Sequence, residues 1–351
     1  MKSKQLRSTV VLALTSLIWG LAFVAQKVGM DFVGPFFFGG MRMVLGALTL
    51  LIVLLVMNAF GRRATTKAAA QASPGSLAPL SQTTGLVENV PAQSAPLSVR
   101  SLLIGGIVCG IIIFAAGSLQ QIGLIYTTAS KAGFLTALYI VLVPILGIVL
   151  KHKTHWNTWV SMAIAVVGLY LLCFAIDFAI PIDGLDAFSL VFFGSPIQLG
   201  DVLVLLGALF WAGHILAIDY FVQGLDTNGV MKLCIAQFSV AAVISFGAGA
   251  LFDGSFVRAP FTWDMVQAAL PAILYVGVMS TGIAFTLQAI GQQGLSPAAA
   301  SIIMSFESVF AAVGGMLLLS EMMTVQEWFG CALMFAAVIL SQLPVGDKKP
   351  I

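Results

Sequence analysis

The sequence predicts an all-α integral membrane protein of ten transmembrane helices, arranged as two inverted five-helix repeats. Composition comes first: of 351 residues, 60% are hydrophobic and 9% are charged, against about 25% charged in ordinary soluble domains. Apolar runs of about 20 residues match a hydrocarbon core about 30 Å thick. These runs lack the alternation of barrel strands, and a backbone inside a bilayer must satisfy its own hydrogen bonds, so helices are expected.

Charged or Pro/Gly-rich segments separate the apolar runs and define ten predicted spans. Very short turns join the third span to the fourth and the eighth to the ninth. The spans are residues 9–27, 35–57, 101–125, 130–150, 157–176, 200–221, 230–251, 268–290, 297–319 and 326–343.

The first span is predicted to be retained and not cleaved as a secretory signal. Its apolar core is long for a signal peptide, and Trp19 and Gln26 lie within or beside it. A cut after Ala25 would leave bulky Phe23 where a small residue is expected. The stretch LIWGLAFVAQK at 17–27 is therefore interpreted as part of the first transmembrane helix.

Basic residues predict the orientation, because cytoplasmic loops of membrane proteins are enriched in Lys and Arg. With both termini in the cytoplasm, the cytoplasmic segments hold twelve of the sixteen basic residues. The opposite side receives five Asp residues, together with Arg258 and Lys131. The twelve cytoplasmic residues are Lys2, Lys4, Arg7, Arg62, Arg63, Lys67, Arg100, Lys151, Lys153, Lys232, Lys348 and Lys349.

One segment is predicted to lie outside the membrane. Residues 62–98 are rich in Ala, Ser, Gln and Pro and have no periodic apolar face, which is typical of a disordered cytoplasmic linker. The predicted domains are a first repeat at 1–61 and 99–177, this linker, an extracytoplasmic loop at 178–199, a second repeat at 200–344 and a cytoplasmic tail at 345–351.

Two pairs of similar segments predict the internal repeat. SLIWGLAFVAQK at 16–27 is similar to ALFWAGHILAID at 208–219, an offset of 192 that pairs Trp19 with Trp211. LQxIG recurs at 119–123 and 287–291, an offset of 168; the difference, 192 − 168 = 24 residues, fits the extra length of the linker. Because five spans are an odd number, the second repeat enters the membrane from the opposite side, as in many secondary transporters.

Five stretches in order resemble the EamA-like branch of the drug/metabolite transporter superfamily. The resemblance covers nearly the whole chain apart from the linker and implies a ten-helix bacterial inner-membrane carrier, usually an exporter of amino acids, metabolites or drugs. The first half departs from the pattern, because LKHKTHWNTWVSM at 150–162 lacks the Glu and Gly kept by LSEMMTVQEWFG at 319–330. The stretches are LIWGLAFVAQK, GPFFFGGMRMVLGAL, GDVLVLLGALFWAGHILAI, FESVFAAVGGMLLLSE and QEWFGCALMFAAVIL.

Glu307 is the clearest candidate for function. It is predicted about ten residues from either end of the ninth span, where a charge costs about 2.5–3.5 kcal/mol on insertion scales. Burial favours the protonated form of a carboxyl group, so proton coupling, or pairing with a substrate amine, is one interpretation. A neutral Glu hydrogen-bonded within the helix packing is the other. Tyr139 is its counterpart in the repeat and is expected to face the same cavity.

Aromatic and amide side chains complete the predicted substrate site. Trp19 and Trp211 lie near the middle of their helices, where an indole N–H facing lipid would have no partner, so both are expected to face a cavity. His214 follows Trp211 by three residues on about the same helix face, and a packing role is the alternative for it. Gln120 and Gln288 align in the repeat and offer neutral hydrogen-bonding groups.

Three charges are predicted to be structural or gating residues. Lys27 ends the first span and is expected to anchor it by snorkelling. Arg42, which the family resemblance also implies, is expected to be structural and could snorkel to the outer headgroups. Glu321 matches the Glu that the family carries before the last helix, which implies a role in organising that turn.

The predicted function is secondary active export of a small amphipathic or zwitterionic solute, such as an amino acid or drug-like metabolite, by alternating access, with proton coupling through Glu307. An uncoupled facilitator and a non-transporting sensor or structural protein are the alternatives.

No GxxxxGK[ST], HExxH or GxSxG motif occurs, and the four Cys lie in separate runs, so neither an enzyme nor a metal or cofactor is expected. The expected partners are a small-molecule substrate and the lipid bilayer, with no nucleic acid. The sequence leaves the oligomeric state open, a monomer included.

Overall fold

The computed structural model describes residues 3–30, 32–71, 99–127, 129–152, 154–173, 197–256, 262–319 and 323–343. Within these ranges the secondary structure is helical, with no β-strand. A 3₁₀ turn at Asp253–Ser255 follows α8, and a π-helix at Tyr275–Ala284 joins α9 to α10. The α-helices are α1 Ser3–Met30, α2 Pro35–Gln71, α3 Val99–Tyr126, α4 Ala129–Ala137, α5 Tyr139–Val149, α6 Trp156–Cys173, α7 Leu199–Val222, α8 Thr227–Phe252, α9 Trp263–Leu274, α10 Phe285–Gln292, α11 Pro297–Met304, α12 Glu307–Leu319 and α13 Val325–Gln342.

The helices are long and apolar enough to confirm the membrane fold. In the described part of the chain, nine helical segments can each cross a bilayer by length and composition. A shorter apolar helical segment, Pro297–Val313, lies where the ninth span was predicted and includes α11 and the first part of α12. Large apolar side chains such as Ile52, Ile107 and Val243 are exposed on the surface, where lipid and not water is the suitable neighbour.

Polar side chains fix where several helices begin. Ser296 Oγ accepts a hydrogen bond from Ala299 N at 3.3 Å ahead of α11, and Pro297 follows at the first helical position, where its missing N–H costs nothing. Thr324 and Glu327 form a reciprocal capping box at the start of α13, which satisfies two backbone donors that a helix end leaves unpaired.

Two expectations about helix extent are corrected. The ninth span is not one helix: it breaks at Ser305 and Phe306, so that Glu307 begins α12 instead of lying in mid-helix. The expected disorder of residues 62–71 is also wrong, because α2 continues to Gln71 through a stretch rich in Ala, a strong helix former. The rest of the predicted linker lies outside the described residues.

The helix packing follows the predicted two-fold relation between the repeats. The main contacts stay the same when each helix is exchanged for its counterpart in the other repeat. The counterparts are α1 and α7, α2 and α8, α3 and the α9–α10 span, the pair α4 and α5 with the pair α11 and α12, and α6 and α13. Thus α3 packs on α7 and α8, while the α9–α10 span packs on α1 and α2. Likewise α2 packs on α8 and α6 on α13. Each repeat therefore completes its core only against the other.

Close contacts at the two ends of the bundle are related by the same two sequence offsets, 168 and 192 residues. A Cβ added at Gly123 would lie 2.5 Å from Val204 Cγ2, and one added at Gly291 would lie 2.7 Å from Leu12 Cγ. Gly291 is Gly123 plus 168, and Val204 is Leu12 plus 192. The end of α3 thus meets the start of α7 as the end of α10 meets the start of α1.

One of these two ends also carries a buried ion pair. Lys131 Nζ lies 2.7 Å from Asp201 Oδ2, with both side chains 5% exposed. Asp201 accepts further hydrogen bonds from Thr127 Oγ1 at 2.6 Å and from Gln198 N at 2.8 Å. The pair ties α4 of the first repeat to α7 of the second.

Candidate functional site

A cavity lies where the two repeats meet, between α1, α2, α3, α4, α5, α7, the π-helix, α10 and α12. Its volume is ≈ 50 Å³, room for a few water molecules. This volume is well below the roughly 300–1,000 Å³ of typical small-molecule sites. The lining residues are Trp19, Ala22, Phe23, Gln26, Arg42, Gln120, Thr136, Tyr139, Trp211, Ile215, Ser280, Phe285, Gln288 and Glu307.

Aromatic rings form one wall of the cavity. The ring of Phe285 lies 4.8 Å from Trp19 in an edge-on arrangement and 5.7 Å from Trp211 in a stacked one. Each indole donates its N–H: Trp19 Nε1 to the Ser280 carbonyl at 3.2 Å, and Trp211 Nε1 to Gln120 Oε1 at 2.7 Å. The predicted Trp pair thus meets at one phenylalanine, with both polar atoms satisfied inside the protein.

The breaks in the fourth span of each repeat bring Tyr139 and Glu307 together. Tyr139 begins α5 and Glu307 begins α12, each directly after an interruption of the helix. Tyr139 Oη donates to Glu307 Oε1 at 3.4 Å, and both residues are 4% exposed. A Cβ added at Gly20 would lie 2.6 Å from the Glu307 carbonyl oxygen, so α1 passes directly beside this break.

Arg42 contributes a cation to the same cavity. Its side chain is 5% exposed and lines the cavity. Nη1 donates to Gln26 Oε1 at 3.0 Å, while Nε has no hydrogen-bond partner among the described residues. The guanidinium is thus hydrogen-bonded to a side chain of α1 inside the protein.

His214 is not part of the cavity wall. It is completely buried, with Nε2 2.9 Å from Gln237 Oε1. Its ring packs 5.9 Å from that of Phe285, which places it behind a wall residue. It lies near the predicted position but turns toward α8. The packing alternative therefore describes its position best.

Of the seven predicted substrate-binding residues, six line the cavity, and His214 is the exception. The side chain of Lys27 and the whole of Glu321 lie outside the described residues. The described part of the chain contains no group of three or more His, Cys, Asp or Glu residues that could hold a metal ion. The cavity wall combines aromatic rings and amides with one carboxyl group and one guanidinium.

Sequence reasoning missed several wall residues. Phe285 occupies the position equivalent to Gly117, at the offset of 168, and comparing the repeats residue by residue would have marked that difference. Ser280 contributes a backbone carbonyl from the π-helix, which no sequence pattern indicated. Thr136 Oγ1 and Gln288 Oε1 are buried without hydrogen-bond partners among the described residues, and both belong to the lining.

The comparisons with known proteins agree with this architecture. The EamA-like transporter family profile matches residues 7–174 and 198–343. An uncharacterized transporter of Archaeoglobus fulgidus is 26% identical over 97% of this chain and 88% of its own length. The uncharacterized transporter YoaV of Bacillus subtilis is 24% identical over 95% of this chain and 96% of its own. A solved crystal structure at 15% identity covers 95% of this chain and 96% of that chain with a TM-score of 0.64, which shows the shared fold. With two matched segments that together cover most of its length, this membrane transporter belongs to the EamA-like transporter family.

Proposed function

We propose that this chain is a secondary active exporter that moves a small amphipathic or zwitterionic solute, such as an amino acid or a drug-like metabolite, by alternating access. The observation that carries the proposal is the cavity between the repeats, in which Arg42 and Glu307 share one space with five aromatic residues. Substrate sites of inverted-repeat transporters lie at such an interface. The proposed binding residues are Trp19, Gln120, Tyr139, Trp211, Gln288 and Glu307.

Composition of the wall defines the solute class. Aromatic rings bind apolar groups of a solute, while Gln side chains hydrogen-bond without fixed charge. A single deep acid and a single deep base suit one positive and one negative group on the solute. A polyanion would leave charge without a partner in a low-dielectric site.

Glu307 is the proposed coupling residue. Its carboxyl group has one hydrogen-bond partner among the described residues, Tyr139. Gain or loss of a proton by this carboxyl group changes the net charge of the cavity. Competition between a proton and a solute amine for one carboxylate is a means of antiport. The chain then works in a bacterial inner membrane with both termini cytoplasmic, as the distribution of basic residues favours.

Purified protein in detergent should first be screened for thermal stabilisation by amino acids, purines, polyamines and cationic drugs. A ligand that binds the folded state raises the melting temperature. Any stabilising solute then enters counterflow in proteoliposomes, with and without a pH gradient. We expect zwitterions or amphipathic amines to exchange, and the gradient to drive net transport.

The coupling is tested with Glu307→Gln, which keeps size and hydrogen bonding but cannot ionise. We expect exchange of labelled solute to persist or weaken while the response to the pH gradient disappears. Unchanged gradient-driven transport in Glu307→Gln would exclude this residue as the proton site. Wild-type transport that ignores the gradient would instead identify a facilitator, and an absence of flux for every stabilising solute would favour a sensor or structural role.

A further inference from the structure

The charge of Arg42 has no counterion within the described protein. No carboxylate of the described residues lies within ion-pair distance of this guanidinium. The side chain is 5% exposed, and its one polar contact among the described residues is the neutral amide of Gln26. Nε is buried without a hydrogen-bond partner.

A buried, unpaired cation is unfavourable, because water has been removed and nothing of opposite charge replaces it. Proteins tolerate such groups when a ligand supplies the missing charge. Arg42 lines the central cavity, so an anion that enters this cavity reaches the guanidinium directly. Its planar fork of N–H donors matches the two oxygens of a carboxylate.

The protein also provides space for this guanidinium in one repeat only. A Cβ added at Gly117 would lie 2.7 Å from Arg42 Nη2, so the absent side chain lets the guanidinium occupy this position. At the equivalent positions of the second repeat, the offsets of 192 and 168 place Cys234 and Phe285. A cation beside a glycine in one half is thus matched by a thiol and a phenyl ring in the other.

We propose that Arg42 binds the carboxylate of the transported solute, and that Gly117 sets the position of its guanidinium. This inference rests on the proposed function and assigns the anionic end of the site. A singly charged carboxylate is the fitting group, because the same cavity holds Glu307 and no second cation among its lining residues. Glu307, from the other repeat, then faces the amine of the same solute.

Four related probes separate the two ends of a zwitterion: leucine, 4-methylpentanoate, 3-methylbutylamine and leucinol. Melting temperatures are measured in lipid nanodiscs at constant ionic strength for the wild type, Arg42→Gln and Gly117→Ala. Gly247→Ala is the matched control, since a Cβ there would meet nothing within 4 Å.

We expect leucine and 4-methylpentanoate to stabilise the wild type and the control, and their apparent affinity to fall about 30-fold or more in Arg42→Gln, as for loss of a buried charge partner. Gly117→Ala should weaken the same two probes by a smaller factor. The amine and leucinol should stabilise Arg42→Gln at least as well as the wild type, because the variant removes a like charge from the cavity. This retained response also shows that the variant is folded.

Equal stabilisation of the wild type and Arg42→Gln by the two carboxylates would overturn the proposal, as would no carboxylate-dependent shift in the wild type. Leucine counterflow separates this failure from that of the proposed function. Exchange that is insensitive to Arg42 would remove the carboxylate site and leave transport intact, whereas absence of exchange for every screened solute would remove the function itself.

Discussion

Gln120 and Gln288 occupy equivalent positions in the two repeats but make different contacts. Gln120 Oε1 accepts the indole N–H of Trp211 at 2.7 Å. Gln288 Oε1 is buried with no hydrogen-bond partner among the described residues. The same residue type therefore satisfies a neighbour in one repeat and has a free acceptor among the described residues in the other.

This difference predicts unequal costs for one substitution. Gln120→Leu leaves a buried indole N–H without its acceptor and should destabilise the protein by about 1–3 kcal/mol. Gln288→Leu removes an acceptor that has no partner and should change stability by less than about 0.5 kcal/mol. Unfolding of both variants in the same detergent measures the difference. Equal losses would show that the Trp211 bond is not the source of the effect.

At the residue scale, much of the cavity wall could be predicted from the sequence. Trp, Gln and Glu side chains are costly in lipid, so their placement in mid-span predicted an interior position without any structure. His214 lies behind Phe285, because three residues along a helix turn a side chain by about 60° from the starting direction. Snorkelling and burial leave the same sequence signal, so the sequence alone did not decide where the side chain of Arg42 lies.

Among the helices, the main feature that the sequence did not predict is the break in the fourth span of each repeat. Neither break contains Gly or Pro: one lies at Leu138, the other at Ser305 and Phe306. Ser301 and Ser305 donate their hydroxyl groups to carbonyls three residues earlier, both at 2.8 Å. Such side-chain bonds compete with the regular backbone ladder, and an apolar run of normal length gives no sign of them.

The contacts at the helix ends predict a matched pair of destabilising substitutions. Gly123→Ala and Gly291→Ala each place a methyl group within 3 Å of the neighbouring helix, and overpacking of this kind costs about 1–3 kcal/mol. Gly133→Ala and Gly247→Ala are controls, because a Cβ at either position would meet nothing within 4 Å.

Thermal unfolding of the four variants in one detergent tests this packing. We expect the two tight glycines to behave alike, since their contacts are related by the repeat. A loss for one of them without a loss for the other would contradict the equivalence of the two helix ends.

For the whole molecule, the two offsets predicted from short sequence similarities recur as contacts. The pairs Gly123 with Val204 and Gly291 with Leu12 join residues that neither similarity alone connects. The repeat was therefore visible in the sequence. The asymmetry between the repeats was harder to predict. The buried ion pair joins Lys131 and Asp201 in one place, whereas the equivalent positions hold Ala299 and Thr9. The sequence does not show which residues of distant helices pair after folding.

In the proposed alternating-access cycle, the cavity between the repeats opens to each side of the membrane in turn. Ala22 lines this cavity at 1% exposure, and Ala22→Cys can be placed in a chain whose four native Cys are replaced by Ser. A membrane-impermeant thiol reagent is then applied to oriented vesicles from each side, with and without a stabilising solute. Ala241→Cys, from a fully buried position on α8 that is absent from the cavity lining, is the control.

We expect Ala22→Cys to react from both sides, and a bound solute to raise its rate from one side while lowering it from the other. The control should react from neither side. Reaction of Ala22→Cys from one side alone under every condition, or equal changes on both sides, would contradict alternating access through this cavity.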